Sequence, residues 1–369
     1  SYSDFEGVAG KALANLVSGD PAPAVGRYCY RSFDRQYALI DNRLGDYIRP
    51  PLVKARGEAN LFFASLMTKM LGVGAAMTAT SELPDLDVFC GRGGKDVFPL
   101  YRDAAGTDPN ITAGLLAALA IQYDAPITPE DLAAYVYAAL GGQSYTRRFW
   151  NELETPGPRV PLTKDGKIFA DTAKLGRKLI WLHTYAERFR GDDRGDEVPA
   201  GSAKIIKGVS DSPTQYPESY SFDPDTGEIT IGTGRIGPVA SEVWEFEVSG
   251  LKVVQSWLGY RMKKRAGKKS SPLDLIRPER WTARMSEELL ELLWVLEATL
   301  RMEPNLEAQL DKIVAGPCFT SAELPEPSDD ERKAPGSGTS AAGGLLELMG
   351  IEGDEDDDPG NDEDEEEMD

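Results

Sequence analysis

Histidine and cysteine are scarce in this chain. Its 369 residues include one histidine, His183, and three cysteines, Cys29, Cys90 and Cys318. None of the cysteines has the Cys-x-x-Cys spacing of a structural zinc site, so a zinc finger or ribbon is excluded. We expect the cysteines to be small buried residues of a reduced cytosolic protein. His183 lies within an apolar helical pattern, where we expect it to pack and not to act as a catalytic base.

Long hydrophobic runs are also missing. No apolar stretch approaches the roughly 18 residues that a membrane span needs. The first residues, Ser1 to Asp4, have neither the basic nor the apolar region of a secretory signal. These absences predict a cytoplasmic protein without a membrane partner. A first residue other than Met fits a segment that was processed or excised from a longer polypeptide.

The sequence lacks the signatures of the common catalytic sites. It has no Gly-Lys-Ser/Thr phosphate loop, and its one Pro-Pro pair, Pro50-Pro51, lacks the flanking residues that hold a flipped adenine in adenine-N6 methyltransferases. The glycine-rich stretch 90–94 follows no strand-to-helix pattern that would bind a cofactor. We therefore predict that this segment has no catalytic residue and no cofactor of its own. An enzyme with an unfamiliar active site is an alternative that a cofactor-binding assay would test.

The acidic charge is unevenly distributed along the chain. The formal net charge is −21, from 61 acidic and 40 basic residues. Residues 321–369 contain 19 of the acidic and 2 of the basic residues, which leaves a net charge of −4 for residues 1–320. The acidic tail is rich in Pro, Gly and Ser, so we predict that it is disordered. A near-neutral body can still bind nucleic acid through local basic patches.

The apolar patterns and turn signals predict an α+β fold with a mainly helical first part. In residues 1–190, the aromatic and β-branched stretch 27–40 is typical of a strand. Residues 156–161 are rich in proline and predict an extended connector. Helices are predicted at Phe5–Val17, Ile111–Ile121 with Asn110 as cap, Leu132–Leu140 with Thr128 as cap, Tyr145–Leu153 and Phe169–Phe189.

A smaller mixed unit follows. The polar, glycine-rich residues 191–217 predict a domain boundary. Turn residues predict a hairpin between 219–222 and 228–231, and alternation predicts a strand at 243–248. Helices are predicted at Val253–Tyr260, Ser286–Met302 and Asn305–Ala315. The predicted domains are a helical coupling and recognition domain (1–190), an α+β DNA-recognition unit (200–320) and the disordered acidic tail (321–369).

A basic segment follows the helix predicted at 253–260. Six of the nine residues from Arg261 to Lys269 are Lys or Arg. Such a segment can neutralise several DNA phosphates, although a solvated loop would have the same composition. The predicted phosphate-binding residues are Arg261, Lys263, Lys264, Arg265, Lys268 and Lys269, and Tyr260, Arg31 and Arg35 are predicted as further interface residues.

Several strings, in order along the chain, resemble a known family. They are Tyr30–Tyr37 (YRSFDRQY), Phe98–Tyr101 (FPLY), Tyr145–Phe149 (YTRRF), Leu175–His183 (LGRKLIWLH), Val243–Gly250 (VWEFEVSG) and Ser270–Asp274 (SSPLD). The set is similar to the carboxy-terminal specificity region of type I single-polypeptide (type ISP) restriction-modification enzymes, especially the actinobacterial branch. Two departures are Ser32, where the family usually has Pro, and the stretch 83–90, which lacks a His often found there.

The resemblance implies a target-recognition domain that serves an adenine-N6 DNA methyltransferase in restriction-modification and phage defence. Its partner would be double-stranded DNA. The methyltransferase part would precede Ser1 and bind S-adenosylmethionine, and a helicase or nuclease subunit would be a further partner. The resemblance carries over no base-reading residues. An alternative from another class is a protein-interaction scaffold of a defence complex, in which the apolar island Leu345–Ile351 docks on a partner.

Overall fold

The computed structural model describes residues 24–40, 49–89, 96–191, 194–263 and 278–333. Residues 1–327 form one compact unit and residues 328–369 form a second. In the second unit, the Ser328 hydroxyl accepts a hydrogen bond from the backbone N–H of Glu331 in a short turn. The helix predicted at 5–17 and the apolar island 345–351 lie outside the described residues.

The first described element is a β-hairpin. Strand β1 (Ala24–Arg31) pairs antiparallel with β2 (Asp34–Ile40), and the short strand β5 (Leu83–Pro84) runs parallel to β1 on its other side. Phe33 turns the chain between β1 and β2 with a left-handed backbone (φ 66°). The strand-like stretch predicted at 27–40 is thus confirmed, as two paired strands.

A second small sheet is built from the following segments. Its strand order is β4 (Thr78–Thr80), β3 (Phe62–Ala64) and β6 (Val97–Pro99), with both pairs antiparallel. The short helix α1 (Pro50–Lys54) precedes these strands, and β3 and β4 are fully buried. The part of the chain predicted to be mainly helical therefore also carries the strands β1 to β6.

Helix α3 (Pro129–Leu140) begins where the capping signal predicts it. The Thr128 hydroxyl accepts a hydrogen bond from the backbone N–H of Asp131 at 3.1 Å. The Asp131 carboxylate accepts one from the backbone N–H of Thr128 at 3.0 Å. This reciprocal capping box satisfies two backbone donors at the start of the helix. The prediction of this helix from its sequence is confirmed.

The two helices on either side of α3 differ from their predictions. Helix α2 (Leu115–Tyr123) starts after Gly114, whose φ is 80°, so its predicted start at 111 is wrong. The side chain of Asn110 does not cap a helix, because its amide donates to the Pro99 carbonyl oxygen at 3.0 Å. Helix α4 (Ser144–Arg148) is shorter than predicted, and a 3-10 turn at 152–154 follows it.

Helix α5 (Gly166–His183) ends before the predicted Phe189. Tyr185 and Ala186 have left-handed backbones, with φ of 52° and 64°. The Tyr185 hydroxyl donates to the carbonyl oxygen of Phe33 at 2.7 Å, so the chain leaves the helix to contact the turn of the first hairpin. This long-range hydrogen bond has no local signal in the sequence.

Helices α3 and α5 approach each other closely at Gly176. An ideal Cβ built on Gly176 would lie 1.8 Å from the carbonyl oxygen of Ala134 in α3. A glycine inside a helix costs roughly 1 kcal/mol relative to Ala. Here its missing side chain allows the two backbones to pack, which explains a glycine in the middle of this helix.

A four-stranded antiparallel sheet occupies the second part. Its strand order is β7 (Lys204–Lys207), β10 (Gly234–Gly237), β9 (Glu228–Ile231) and β8 (Tyr220–Asp223). The predicted hairpin is confirmed, because β8 pairs antiparallel with β9. Strand β7 lies inside the stretch 191–217 that was predicted as loop, and all four of its residues are exposed.

The strand predicted at 243–248 is largely wrong. Helix α6 (Ser241–Trp244) occupies its first part, and the remainder forms β11 (Glu247–Val248), which pairs with β12 (Leu251–Lys252). Val243 and Trp244 are adjacent yet both buried, which a strand with one solvent face cannot achieve. Helix α7 (Val253–Gly259) follows β12 and agrees with its prediction.

One long helix, α8 (Ala283–Ala315), replaces the two helices predicted near the end of the body. Its cap is Thr282, which accepts from the N–H of Met285. Ser286, where the sequence predicted a helix to start, lies inside α8 and accepts from the Trp281 indole. Pro304 lies inside the helix, where it removes a backbone hydrogen bond. The buried stripe continues beyond it through Leu306, Leu310 and Ile313, so tertiary packing keeps the helix continuous.

A shared core joins the elements on both sides of the boundary predicted at 191–217. The Phe33 ring packs edge-on against His183 at 4.8 Å and against Phe246 at 6.2 Å between ring centroids. Phe33 lies in the turn of the first hairpin, His183 ends α5, and Phe246 directly precedes β11. The described residues thus form an α+β fold, as predicted, while the division into two domains stays a prediction. No described helix is long and apolar enough to cross a membrane.

Candidate nucleic-acid interface

The end of β1 meets the end of α7 in a cluster of aromatic and basic side chains. Arg31 donates a hydrogen bond to the Tyr260 hydroxyl at 2.7 Å. Its guanidinium lies 4.4 Å from the Tyr30 ring centroid and 4.9 Å from that of Tyr260. The two tyrosine rings are themselves in edge-to-face contact, 5.0 Å apart. We call Tyr30, Arg31 and Tyr260 the tyrosine–arginine cluster.

Acidic side chains flank this cluster on one side. Arg31 Nη1 lies 3.7 Å from the Asp85 carboxylate and 3.8 Å from that of Asp87, and the Arg31 side chain is 12% exposed. The Tyr28 hydroxyl donates to Asp85 at 2.7 Å. Burial, and then the negative charge of Asp85, raise the pKa of Tyr28. The cluster therefore holds one positive guanidinium in a fixed orientation between two rings and two carboxylates.

Arg261 begins the basic segment but points into the protein. Its guanidinium donates to the two carboxylate oxygens of Asp34 at 2.7 and 3.0 Å and to the Trp257 carbonyl oxygen at 2.9 Å. It also lies 3.6 Å from the Trp257 ring centroid. The side chains of Arg261 and Asp34 are only 8% and 1% exposed. This environment favours a structural role for Arg261, and its phosphate contact stays a prediction.

Arg35 also has partners within the fold. Its guanidinium stacks on the Tyr185 ring, 3.4 Å from the centroid, and is hydrogen-bonded to Glu291 of α8. The side chain is 15% exposed. Arg35 thus ties the first hairpin to the residues just after α5 and to α8. The structure does not bring it into the tyrosine–arginine cluster, and its role at an interface stays a prediction.

Of the remaining basic residues of the predicted segment, only Lys263 is described by the structure, and it is exposed. Lys263 is 55% exposed, and its ammonium lies 2.7 Å from the Glu218 carboxylate. It lies two residues after the buried Arg261 and directly after the buried Met262, so it marks the place where the chain returns to the surface. Lys264, Arg265, Lys268 and Lys269 lie outside the described residues, so the structure leaves their predicted contacts untested.

A second group of residues beside the hairpin was not predicted. Arg27 and Tyr37 are cross-strand partners on β1 and β2, and Tyr37 is 73% exposed. With Arg284 of α8 they border an open cavity of about 140 Å³. The alternation of polar and apolar residues in 25–39 could have indicated this exposed face, but the approach of α8 could not be read from the sequence. No described group of His, Cys, Asp and Glu is arranged to hold a metal ion.

The elements around these sites define an α+β domain in which a β-hairpin, three packed helices and a four-stranded sheet share one core. The model of the Type ISP C-terminal specificity domain family matches residues 6–292. Because this match covers most of the chain, the chain belongs to that family, and the resemblance found in the sequence is confirmed. No curated protein matches it.

Three solved structures are similar to this chain. A cryo-electron microscopy DrdV–DNA complex matches with a TM-score of 0.55 and 20% identity, over 80% of this chain and 28% of that chain. A nuclease-deletion mutant of the Type ISP restriction-modification enzyme LlaGI, in complex with a DNA substrate mimic, matches with a TM-score of 0.50 and 19% identity over 78% and 21%. The ATP-dependent Type ISP restriction-modification enzyme LlaBIII, bound to DNA, matches with a TM-score of 0.55 and 16% identity over 80% and 19%.

At these identities the similarity establishes the fold. The chain corresponds to between 19% and 28% of the three longer chains. It therefore has the architecture of one part of such proteins.

Proposed function

We propose that this chain recognises a DNA target sequence for a restriction-modification system. The single observation that carries the proposal is the family match to a specificity domain over residues 6–292. The three similar structures support it, since each is of a protein in complex with DNA or a DNA mimic. Restriction-modification enzymes need one part that selects the sequence, and this chain has the fold of that part.

We place the DNA contact at the surface where α7 ends. There Tyr260 of the tyrosine–arginine cluster is followed along the chain by Lys263 and then by Lys264, Arg265, Lys268 and Lys269. Lysines supply phosphate contacts, whereas ordered arginine and tyrosine side chains can contact base edges or sugars. Buried Arg261 would anchor the start of the basic segment to β2 and so fix where the lysines emerge.

We infer that the chemistry belongs to another part of the same system. That part would be an adenine-N6 methyltransferase that binds S-adenosylmethionine, and a helicase or nuclease would be a further partner. This chain covers only a small share of the longer chains, which leaves room in them for separate catalytic parts. Methylation and cleavage assays of the assembled system, with and without this chain, test this part of the proposal.

The experiment that tests DNA binding compares two matched double variants across a salt series. Lys263→Ala/Lys264→Ala removes two charges from the basic segment. Lys54→Ala/Lys69→Ala removes two exposed charges from α1 and the loop after β3. We expect the first variant to lose affinity on every duplex and to flatten the plot of log affinity against log salt by roughly 1.8, because each phosphate contact contributes about 0.9.

The control variant should bind like the unaltered chain. Equal affinity and equal salt slope for both variants would contradict the proposed surface. Deletion of residues 335–369 separates DNA reading from the scaffold alternative. A DNA reader should bind duplexes equally well or better after this deletion, because an acidic repulsive segment has been removed. A scaffold that depends on the apolar island at 345–351 would lose its protein partner instead.

A further inference from the structure

A basic groove runs between α5 and α8, away from the end of α7. It encloses about 530 Å³. Its walls come from the middle of α5 and the last third of α8, and Arg194 also lines it. The polar residues that line it are Asp171, Lys174, Lys178, Arg194, Asn305, Gln309 and Lys312. We call this surface the α5/α8 groove.

The charge of the groove is strongly positive. Lys174, Lys178 and Lys312 are exposed, and among the residues that the structure describes none of the three has an ion pair. Its one acidic residue, Asp171, is already engaged by Lys167, with the ammonium 2.5 Å from the carboxylate. The hydrogen bond from Lys167, and the nearby charges of Lys312 and Lys174, lower the pKa of Asp171. The groove therefore sets one carboxylate against four cationic side chains. The groove thus offers several cations to an anionic ligand.

Neutral donors lie beside these cations. Asn305 and Gln309 are four residues apart on α8, so their side chains share one face of the helix and line the groove together. Lys174 and Lys178 have the same spacing on α5. Asparagine, glutamine and lysine are all common donors to phosphate oxygens of DNA. An open groove lined by two rows of such donors suits an extended chain of phosphates better than a single small anion.

The groove is far from the point where α8 contacts the first hairpin, which carries Arg31 of the tyrosine–arginine cluster. Glu291 of α8 is bonded to Arg35 of the first hairpin, and Asn305 and Lys312 follow it by 14 and 21 residues on the same helix. At about 1.5 Å per residue, these positions are roughly 21 and 32 Å further along α8. A duplex advances about 3.4 Å per base pair, so this separation corresponds to roughly six to nine base pairs.

We propose that the α5/α8 groove is a second DNA-binding surface, which holds backbone phosphates of duplex outside the recognised sequence. The proposal rests on the proposed function, because it takes DNA as the partner. It assigns the groove a role in affinity and not in sequence selection, since contacts to phosphate carry no base information. Lys174, Lys178 and Lys312 supply the charge, and Asn305 and Gln309 supply neutral hydrogen bonds.

The test is a duplex-length series with the whole chain. Duplexes of about 12, 24 and 36 base pairs with one common central sequence are titrated at two salt concentrations. The groove variant is Lys174→Gln/Lys178→Gln/Lys312→Gln, and the control is Lys54→Gln/Lys69→Gln/Lys207→Gln, which removes the same number of exposed charges elsewhere. All these side chains are exposed, so urea unfolding should show similar midpoints for both variants.

We expect the unaltered chain and the control to bind the longer duplexes at least tenfold more tightly than the shortest. The groove variant should lose this gain and keep the affinity for the shortest duplex. Its salt slope on long duplexes should be flatter by up to about 2.7, from three contacts. Failure of the proposed function looks different, because the unaltered chain would then bind no duplex of any length.

Two results would overturn the inference. The first is a groove variant that gains affinity with duplex length as much as the unaltered chain does. The second is a groove variant that binds every duplex normally but loses binding of a polyglutamate peptide. That result would assign the groove to an acidic protein segment instead of DNA.

Discussion

Asp34 accepts two hydrogen bonds from Arg261, although the two residues are 227 positions apart in the chain. The pair joins the start of β2 to the residue that follows Tyr260. Both side chains are buried, and the Trp257 carbonyl oxygen accepts a third hydrogen bond from Arg261. A buried ion pair of this kind is costly to break from one side, because the remaining charge has no solvent and no partner.

We expect Asp34→Ala to destabilise the protein by about 3–5 kcal/mol, since it leaves the Arg261 guanidinium buried and unpaired. The double variant Asp34→Leu/Arg261→Met removes both charges and should recover much of this loss. Urea unfolding measures both effects. A loss below about 0.5 kcal/mol for Asp34→Ala would show that the pair does not hold β2 to the end of α7.

The same double variant tests whether Arg261 contacts phosphate. If Arg261 acts only inside the fold, DNA affinity should keep its dependence on salt once the double variant is folded. If it contacts a phosphate, the salt slope should flatten by about 1.

Tyr260→Phe removes the hydroxyl that accepts from Arg31 and leaves the ring in place. We expect DNA affinity to fall several-fold, because Arg31 is no longer held in one orientation. The aromatic packing on Tyr30 should persist, so stability should fall by no more than the roughly 1–1.5 kcal/mol of the lost hydrogen bond. Tyr37→Phe, which alters an exposed hydroxyl on β2, is the matched control. Similar affinity for both variants would remove the cluster from the interface.

His183 is buried between α3 and α8. Its Nδ1 is 2.6 Å from the Tyr137 hydroxyl, and its Nε2 is 2.8 Å from the Thr299 hydroxyl. Thr299 donates its own hydrogen to the Val295 carbonyl oxygen, so it accepts from Nε2–H, and Tyr137 donates to Nδ1. Burial lowers the pKa of His183 to about 3. The side chain is therefore neutral in the folded protein and supports the core.

This histidine predicts a pH dependence of stability. The folded pKa is below the ordinary value of about 6.5, so the unfolded chain binds the proton more tightly. The stability that comes from keeping His183 neutral is present above pH 6.5 and is lost as the pH falls. Between pH 7.5 and 5.5 we expect a loss of about 1.4 kcal/mol. His183 is the one histidine of the chain, so His183→Gln should abolish this slope, and an unchanged slope would contradict the assignment.

Gly176→Ala should destabilise the protein by several kcal/mol. The added Cβ would meet the Ala134 carbonyl oxygen at 1.8 Å, which forces α3 and α5 apart. The exposed Ala170 in the same helix offers a control, since Ala170→Gly should cost only about 1 kcal/mol. Thermal unfolding compares the two. A Gly176→Ala variant as stable as the unaltered chain would show that the helices can separate without loss.

Local signals in the sequence predicted several elements correctly. The capping box of Thr128 and Asp131 and the hairpin turn at 223–227 depend on neighbouring residues, so they could be read directly. The prediction of a strand at 243–248 was wrong because adjacent residues there are buried together in a short helix. The predicted end of α5 was wrong because Tyr185 turns towards Phe33, which is far away in sequence.

The candidate site could be predicted only in part, because it depends on contacts between residues that are distant in the sequence. Basic composition indicated the segment from Arg261 onwards, and the structure brings Arg31 and Tyr260 into direct contact. Composition could not distinguish a buried arginine from an exposed one. Arg261 and Arg35 pair with carboxylates that are more than two hundred residues away. No local sequence pattern predicts such pairs.

The central claim is that this chain reads a DNA sequence, and selection from random duplexes tests it most directly. The purified chain is mixed with a pool of random duplexes at two salt concentrations, and the retained DNA is sequenced. We predict salt-sensitive retention and enrichment of one short motif that contains an adenine. Retention without any enriched motif, or no retention at either salt concentration, would contradict the claim that the chain itself reads sequence.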